Sequence, residues 1–190
     1  MRTFAELSDD EVDRAAEAWQ TRRRAEPGGY LHALVNEGRA AGASLLHSHS
    51  QLVWLPGEPP AVVAERHNGC TLCEVAAQNV VREAEGVRVS CPYASRVPYE
   101  LLVAPVAHEE EAFESARLGH ALRLIRDVIA DVRALEGPFP WNAWLHNGRH
   151  WHLEVFPRLT VLAGIELGAG IYVNTLAPED AAASLRAEGA

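Results

Sequence analysis

Residues 36–51 have the sequence NEGRAAGASLLHSHSQ, and this stretch decides the predicted fold. It ends in His47, His49 and Gln51, which are spaced two residues apart. In an extended strand alternate side chains lie on one face, so the spacing predicts a surface with two imidazoles and an amide. Such a row suits phosphoryl or nucleotidyl transfer, because a neutral imidazole can attack a phosphorus atom. A metal-binding pair or two core histidines are the alternatives for an isolated His-x-His.

The glutamine narrows the kind of transfer. An amide can donate to a phosphate oxygen, but it cannot act as a general acid or base near neutral pH, whereas a third histidine could. Gln51 therefore favours transfer onto an acceptor that brings its own nucleophilic phosphate, and disfavours simple hydrolysis.

A second group of residues has the chemistry of a metal site. Cys70 and Cys73 form a Cys-x-x-Cys pair, and histidines follow at His108 and in the segment His150-Trp151-His152. Two thiolates and two imidazoles satisfy tetrahedral zinc in a closed structural site. On spacing alone, a bare cysteine pair with unrelated histidines is equally acceptable.

The stretch 36–51 resembles the active-site segment of the galactose-1-phosphate uridylyltransferases and of their relative ADP-glucose phosphorylase, within the histidine-triad superfamily. The serines between the histidines are more similar to the phosphorylase branch. The resemblance implies that His49 is the nucleophile that becomes nucleotidylated, with Gln51 beside it as a catalytic residue. It also implies that Asn36, Ser44 and Gln51 hold phosphate oxygens, and that His47 is a zinc ligand of an incomplete first site or an orienting neighbour.

The same resemblance favours zinc as the cofactor of the second group. Relatives carry a cysteine pair, a histidine after a Val-x-Pro strand end, as in 103–108, and a histidine in a final row. We therefore predict Cys70, Cys73, His108 and His150 as zinc ligands. His150 is preferred to His152 because it has the register of His47, which gives His152 the nucleophile's position in a second, inactive copy.

Charge and hydropathy limit the partners. The chain of 190 residues has 17 basic and 26 acidic residues, a net charge of −9, which is a poor match to nucleic acid. No apolar run approaches the ~20 residues of a membrane helix, so we expect no membrane partner. The first residues contain no apolar targeting segment, which favours a cytoplasmic location.

Periodicity and breakers predict an α+β fold, a histidine-triad-like antiparallel sheet with packed helices. Helices are expected over about 9–24, 74–83 and 109–135, with a last one from Pro178. Strands are expected over 30–35, 87–91, 99–103, 142–146 and 151–156, in addition to the histidine row. The breakers at 55–60 divide the chain into a partial first unit, 1–58, carrying the histidine row, and a complete second unit, 59–190, carrying the zinc site.

The implied activity is transfer of UMP or AMP between a nucleoside-diphosphate sugar and a sugar phosphate or phosphate, through a nucleotidyl-histidine. The resemblance begins part-way into the family's first half, which predicts an exposed sheet edge. A homodimer or a complementary half-chain would cover it. The alternative is a truncated, non-catalytic, zinc-stabilised nucleotide-binding remnant, or one half of a split enzyme.

Overall fold

The computed structural model describes residues 2–66, 70–74 and 77–189, and they form one antiparallel sheet with helices packed on it. The predicted α+β class is confirmed. The strands are β1 Tyr30–Glu37, β2 Ser50–Leu55, β3 Val80–Ala84, β4 Val87–Ser90, β5 Leu101–Pro105, β6 Trp141–His146 and β7 His152–Pro157. Their order across the sheet is β2-β1-β6-β7-β5-β4-β3. The helices are α1 Asp9–Ala25, α2 Pro60–Arg66, α3 Thr71–Glu74, α4 Leu118–Glu136, α5 Gly164–Ala169 and α6 Pro178–Glu188, with 3-10 turns at Phe4–Glu6, Arg39–Ala41 and Ala112–Glu114.

The core lies between one face of the sheet and the helices α1, α4 and α6. Helix α1 begins as predicted, because the Ser8 hydroxyl accepts from the Glu11 backbone and the Glu11 carboxylate accepts from the Ser8 backbone. Helix α4 buries the apolar stripe that includes Leu122, Ile125 and Ile129. These side chains belong to one cluster with inward-facing strand residues such as Trp141 and Leu153.

Strand β1 divides its side chains between the two faces of the sheet. Leu31, Ala33 and Val35 are buried in the core, whereas the alternate positions Leu34 and Asn36 lie on the opposite face and are less buried. We call this second face the open face. In register, Leu34 pairs with Gln51 of β2, and Asn36 pairs with Asn142 of β6. The open face therefore brings together residues that are about a hundred positions apart.

The prediction of a strand through the whole histidine row was wrong. Strand β2 begins only at Ser50, and residues 43–49 form a loop that follows Gly42, a left-handed residue with φ of 82°. The backbone of Ser48 donates to the carbonyl of Arg2 instead of to a strand partner. His47 and His49 thus precede the strand, and only Gln51 lies in it.

Two predicted helices also need correction. Residues 80–83 belong to strand β3, which turns into β4 through Glu85 and Gly86, both with positive φ; residues 75–76 of that predicted helix lie outside the described residues. The long helix begins at Leu118, not at Glu109. Residues 109–117 are not α-helical, and the carbonyls of Glu109 and Glu110 accept from Trp151 and Gly148, in the loop between β6 and β7, instead of from residues four positions later.

Strands of the predicted parts 1–58 and 59–190 pair in the same sheet through β1 and β6. The division into a partial and a complete unit stays a prediction. None of the helices in the described residues has the length and apolar character needed to cross a membrane.

Candidate active site and metal centres

His49 lies directly before β2, with its ring half-buried. Its Nδ1 lies 3.1 Å from the carbonyl oxygen of His47. A carbonyl can only accept, so this contact places the proton on Nδ1, which donates. The other ring nitrogen, Nε2, then carries a lone pair. The local backbone therefore holds His49 in the tautomer that a nucleophile requires.

His47 itself is exposed, and its ring lies edge-on to that of His49, with 6.1 Å between the centroids. The same local geometry occurs a second time. His152 Nδ1 lies 3.1 Å from the carbonyl oxygen of His150, as His49 does from His47. The two rows differ in exposure, because His152 is only 8% exposed.

Three amides form a row on the open face, and one of them, Gln51, follows His49 by two positions in the chain. Asn142 Nδ2 donates to Asn36 Oδ1 over 2.7 Å and to the carbonyl of Ala41, also over 2.7 Å. Asn36 Nδ2 donates in turn to Gln51 Oε1 over 3.3 Å. Two of the predicted substrate-binding residues, Asn36 and Gln51, are thus in direct contact.

The third predicted substrate-binding residue is not part of this row. Ser44 is exposed in the loop between the 3-10 turn Arg39–Ala41 and β2. Within the described ranges, no hydrogen bond joins it to the amides or to His49. Asn142 was missed by the sequence analysis, because only the pairing of β1 with β6 reveals that it lies opposite Asn36.

The four predicted zinc ligands come together, with their ligand atoms within 4.8 Å of one another. His150 Nδ1 lies 3.4 Å from Cys70 Sγ and 3.3 Å from Cys73 Sγ, and His108 Nδ1 lies 3.3 Å from Cys73 Sγ. In tetrahedral zinc with Zn–S of about 2.3 Å and Zn–N of about 2.0 Å, neighbouring ligand atoms lie roughly 3.5 Å apart. These residues therefore have the spacing of a closed metal site.

Two features of the surroundings favour binding of a cation by these four residues. His150 Nε2 donates to the carbonyl of Pro105 over 2.9 Å, which leaves Nδ1 as the ligand atom. The Cys70 thiol, together with burial, raises the pKa of Cys73, so the pair alone resists becoming two thiolates. A bound cation would supply the missing stabilisation.

A second group that could hold a metal was not predicted. It consists of Glu65, His146, His152 and Glu154, again with ligand atoms within 4.8 Å. His146 Nδ1 lies 2.7 Å from Glu65 Oε1, and His152 Nε2 lies 3.8 Å from the same oxygen. All four residues line a cavity of about 220 Å³. The carboxylates and imidazoles suit a harder divalent cation than the cysteine site does.

Burial and contacts within this second group shift the pKa values of His152 and Glu65. Burial lowers the pKa of His152, and the neighbouring His146 lowers it further. Burial would raise the pKa of Glu65, but the hydrogen bond with His146 and the charge of His152 outweigh it and lower that pKa. A neutral imidazole beside a carboxylate is the state that binds a cation.

Three of these four residues could have been recognised from the sequence. His146 ends β6 and His152 begins β7, and the short connection between them makes them partners across a hairpin. Glu154 follows His152 by two positions, so it lies on the same face of β7. Only Glu65, from α2, depends on the tertiary structure.

Comparisons with known proteins agree with this architecture. No protein-family model matches the chain. ADP-glucose phosphorylase from Arabidopsis thaliana is 32% identical over 83% of this chain and 51% of its own length. Galactose-1-phosphate uridylyltransferase from Thermotoga maritima is 27% identical over 83% of this chain and 59% of its own length. The chain thus spans about half the length of the curated relatives it matches.

A solved structure extends the likeness to the fold. The crystal structure of ADP-glucose phosphorylase from Arabidopsis thaliana with bound ADP-glucose has a TM-score of 0.86 and 24% identity, covering 97% of this chain and 68% of the other. The sequence relatives and the shared fold lead to one conclusion. The chain is homologous to the galactose-1-phosphate uridylyltransferases and ADP-glucose phosphorylases over the half of their length that it spans, and it shares their fold.

Proposed function

We propose that the protein is a nucleotidyltransferase that moves a nucleoside monophosphate, UMP or AMP, from a nucleoside-diphosphate sugar to a phosphate-bearing acceptor. His49 is the group that carries the nucleotide between the two halves of the reaction. The observation that supports this most strongly is the contact between His49 Nδ1 and the carbonyl of His47, which in the neutral ring assigns the lone pair to Nε2.

In the first half, Nε2 of His49 attacks the α-phosphorus of the donor. A P–N bond forms, and the P–O bond to the β-phosphate breaks, so that sugar 1-phosphate leaves with the bonding electron pair. The Nδ1–H contact to the carbonyl stabilises the positive charge that develops on the imidazole. In the second half, an oxygen of phosphate or of a sugar phosphate attacks the same phosphorus, and the P–N bond breaks.

The acceptor class that we propose rests on Gln51, which follows His49 by two positions. Gln51 can donate to a phosphate oxygen but cannot remove a proton from water. An acceptor that is already an anionic phosphate needs no such base. The names of the relatives agree with a sugar-nucleotide donor and a phosphate or sugar-phosphate acceptor.

We propose zinc as the structural cofactor at Cys70, Cys73, His108 and His150. The closed set of two sulfurs and two nitrogens supports it. The site stabilises the loop before β7 and takes no part in the transfer.

We also propose that 59–190 is a complete structural unit, to which 1–58 adds β1, β2 and the reactive histidine.

A homodimer is the assembly that we propose. Strand β2 is an edge of the sheet, and its side chains Val53 and Trp54 are 42% and 37% exposed. Residues 161–173, which we call the apolar arm, expose Val161, Ile165, Leu167, Ile171, Tyr172 and Val173. A second copy would cover this surface, which a monomer leaves in contact with water.

Intact-mass measurement tests the function directly. Incubation with ADP-glucose or with UDP-glucose is expected to add one nucleoside monophosphate to the wild type and nothing to His49→Ala. His152→Ala is the matched control, because His152 has the same local geometry, and this variant is expected to keep the adduct. An adduct on His49→Ala, or none on folded wild type with either donor, contradicts the proposal.

A further inference from the structure

We infer that Asn142 is a positioning residue that fixes the direction of the Gln51 amide, through Asn36, so that Gln51 presents its NH2 group to the donor phosphate. This inference deepens the proposed function and rests on it for the identity of the ligand. Asn142 belongs to β6, about ninety positions after Gln51, and nothing in the local sequence of the histidine row assigns it a role.

The main-chain carbonyl of Ala41 fixes the orientation of the first amide in the row, that of Asn142. The carbonyl oxygen of Ala41 can only accept, so the atom of Asn142 that lies 2.7 Å from it must be the donor Nδ2. An amide nitrogen has two hydrogens. The second of them points to the side-chain atom of Asn36, also 2.7 Å away.

The contact between Asn142 and Asn36 determines how the Asn36 amide is oriented, and this in turn determines the orientation of Gln51. Because Asn142 donates, Asn36 must offer its Oδ1, and its Nδ2 then faces Gln51. The Gln51 atom 3.3 Å from Asn36 is therefore the acceptor Oε1. The remaining polar atom of Gln51, Nε2, is left with two hydrogens and is the group that a ligand meets.

This direction matters because phosphate oxygens only accept when they are fully ionised. A Gln51 amide with its NH2 group outward donates to them, whereas a reversed amide presents a carbonyl oxygen to an anion. A free glutamine side chain would have to select the correct orientation as the ligand binds. The anchored row makes that choice in advance, which is how preorganised donors assist a transfer.

Substitution of Asn142 by aspartate should reverse the orientation of the Asn36 and Gln51 side-chain amides. The carboxylate cannot donate, so Asn36 turns its Nδ2 toward position 142 and its Oδ1 toward Gln51. Gln51 then donates to Asn36 and turns its own oxygen outward. Asn142→Ala removes the anchor without reversing it, so that both orientations of Gln51 become accessible.

The test is the single-turnover rate at which His49 is nucleotidylated by whichever donor labels the wild type. We expect Asn142→Asp to lower this rate about 10- to 100-fold, which is less than the roughly 100- to 1000-fold loss caused by complete removal of one preorganised donor, because the Gln51 side chain is still present. Asn142→Ala should cause a smaller loss. In a Gln51→Ala background, Asn142→Asp should cause no further loss, because the group on which it acts is already gone.

Gln20→Glu is the matched control. Gln20 on α1 also donates from an amide to a main-chain carbonyl, that of Ser115 over 3.0 Å, on the other side of the sheet. This variant should stay within about twofold of the wild-type rate, well below the tenfold that 1.4 kcal/mol represents. The inference is wrong if Asn142→Ala slows the reaction as much as Asn142→Asp, or if the loss persists in the Gln51→Ala background.

A second measurement needs no turnover. In 15N-labelled protein, the side-chain NH2 signals of Gln51 are identified by their absence from Gln51→Ala. They should shift in Asn142→Asp and in Asn142→Ala, and stay in place in Gln20→Glu. Unshifted Gln51 signals overturn the inference even when the enzyme is active. Shifted signals in a protein that accepts no nucleotide overturn the proposed function and leave the amide row established.

Discussion

At the scale of single residues, His49 and His152 combine the same local geometry with different surroundings. Both rings donate from Nδ1 to the carbonyl two residues earlier. His152 Nε2, however, faces the carboxylates of Glu65 and Glu154 at 3.8 Å and 4.0 Å. These negative charges would repel a phosphate and attract a cation. The second histidine row is therefore suited to a metal and not to a nucleotide.

Replacement of Cys70 by serine tests the cysteine site at this scale. We expect Cys70→Ser to lose its bound zinc and to melt at a lower temperature, because binding of a structural metal contributes directly to folding. The affinity should fall by more than the roughly 10- to 100-fold that loss of an outer partner of a ligand costs. Metal analysis of the purified protein, combined with thermal melting, measures both effects.

Cys91→Ser is the control for this substitution. Cys91 is 1% exposed, and burial raises the pKa of its thiol to about 12, so it is a buried thiol outside the ligand group. This variant should lose some stability but keep its zinc. A Cys70→Ser protein with the zinc content of the wild type would remove the assignment.

Residue types and spacing made the cysteine pair and the histidine row candidates, and the resemblance to a known family completed the set of ligands, but neither indicated the residues that surround them. Cys70, Cys73, His108 and His150 could be named as candidate ligands because cysteine and histidine are common zinc ligands. Asn142 and Glu65 have no such signature, since an asparagine or a glutamate is usually a surface residue. Their roles depend on which strands are neighbours, and a single sequence does not specify that β1 lies beside β6.

At the scale of elements, predictions succeeded where periodicity and caps agreed and failed where tertiary pairing decided. Helix α1 has both an apolar face and a capping box, and it was predicted within a residue of its bounds. Residues 80–83 begin with two valines, which favour a strand, and the turn at Glu85 and Gly86 pairs this segment with β4. The helix prediction extended too far because it gave these β-branched residues too little weight.

Helix α1 also contacts the start of β2, next to the proposed nucleophile His49. Trp19 is 3% exposed, and its indole Nε1 donates to Ser50 Oγ over 2.9 Å. Ser50→Ala should lower the free energy of unfolding by about 1–3 kcal/mol, because it leaves a buried donor without a partner. Urea denaturation measures this loss. Ser48→Ala, two residues earlier, should have little effect, and equal losses in the two variants would contradict the role of the contact.

At the scale of the whole molecule, the candidate site combines distant parts of the chain. The proposed nucleophile His49 and Gln51 precede the long helix α4 in the chain, whereas Asn142 lies in β6, which follows that helix. Pairing of β1 with β6 joins them within one sheet. The residues predicted as a partial first unit are therefore structurally dependent on the rest, as the order of strands requires.

The prediction of a dimer rests on the exposed apolar side chains of the apolar arm. Val161 is 91% exposed and Leu167 is 76% exposed, and both lie in the apolar arm. We expect the wild type to be a dimer in size-exclusion chromatography with light scattering. Because each copy has a net charge of −9, added salt should strengthen association by screening the repulsion between them.

Leu167→Glu should convert this dimer to monomer. Burial of a leucine contributes about 1.5–3 kcal/mol, and a two-fold interface contains each residue twice. Loss of about 3 kcal/mol or more raises the dissociation constant at least about 100-fold. Tyr93→Glu is the control, because Tyr93 is 80% exposed but lies outside the apolar arm, and it should leave the dimer intact. A monomeric wild type, or a Leu167→Glu protein that still dimerises, would show that a second copy does not cover the apolar arm.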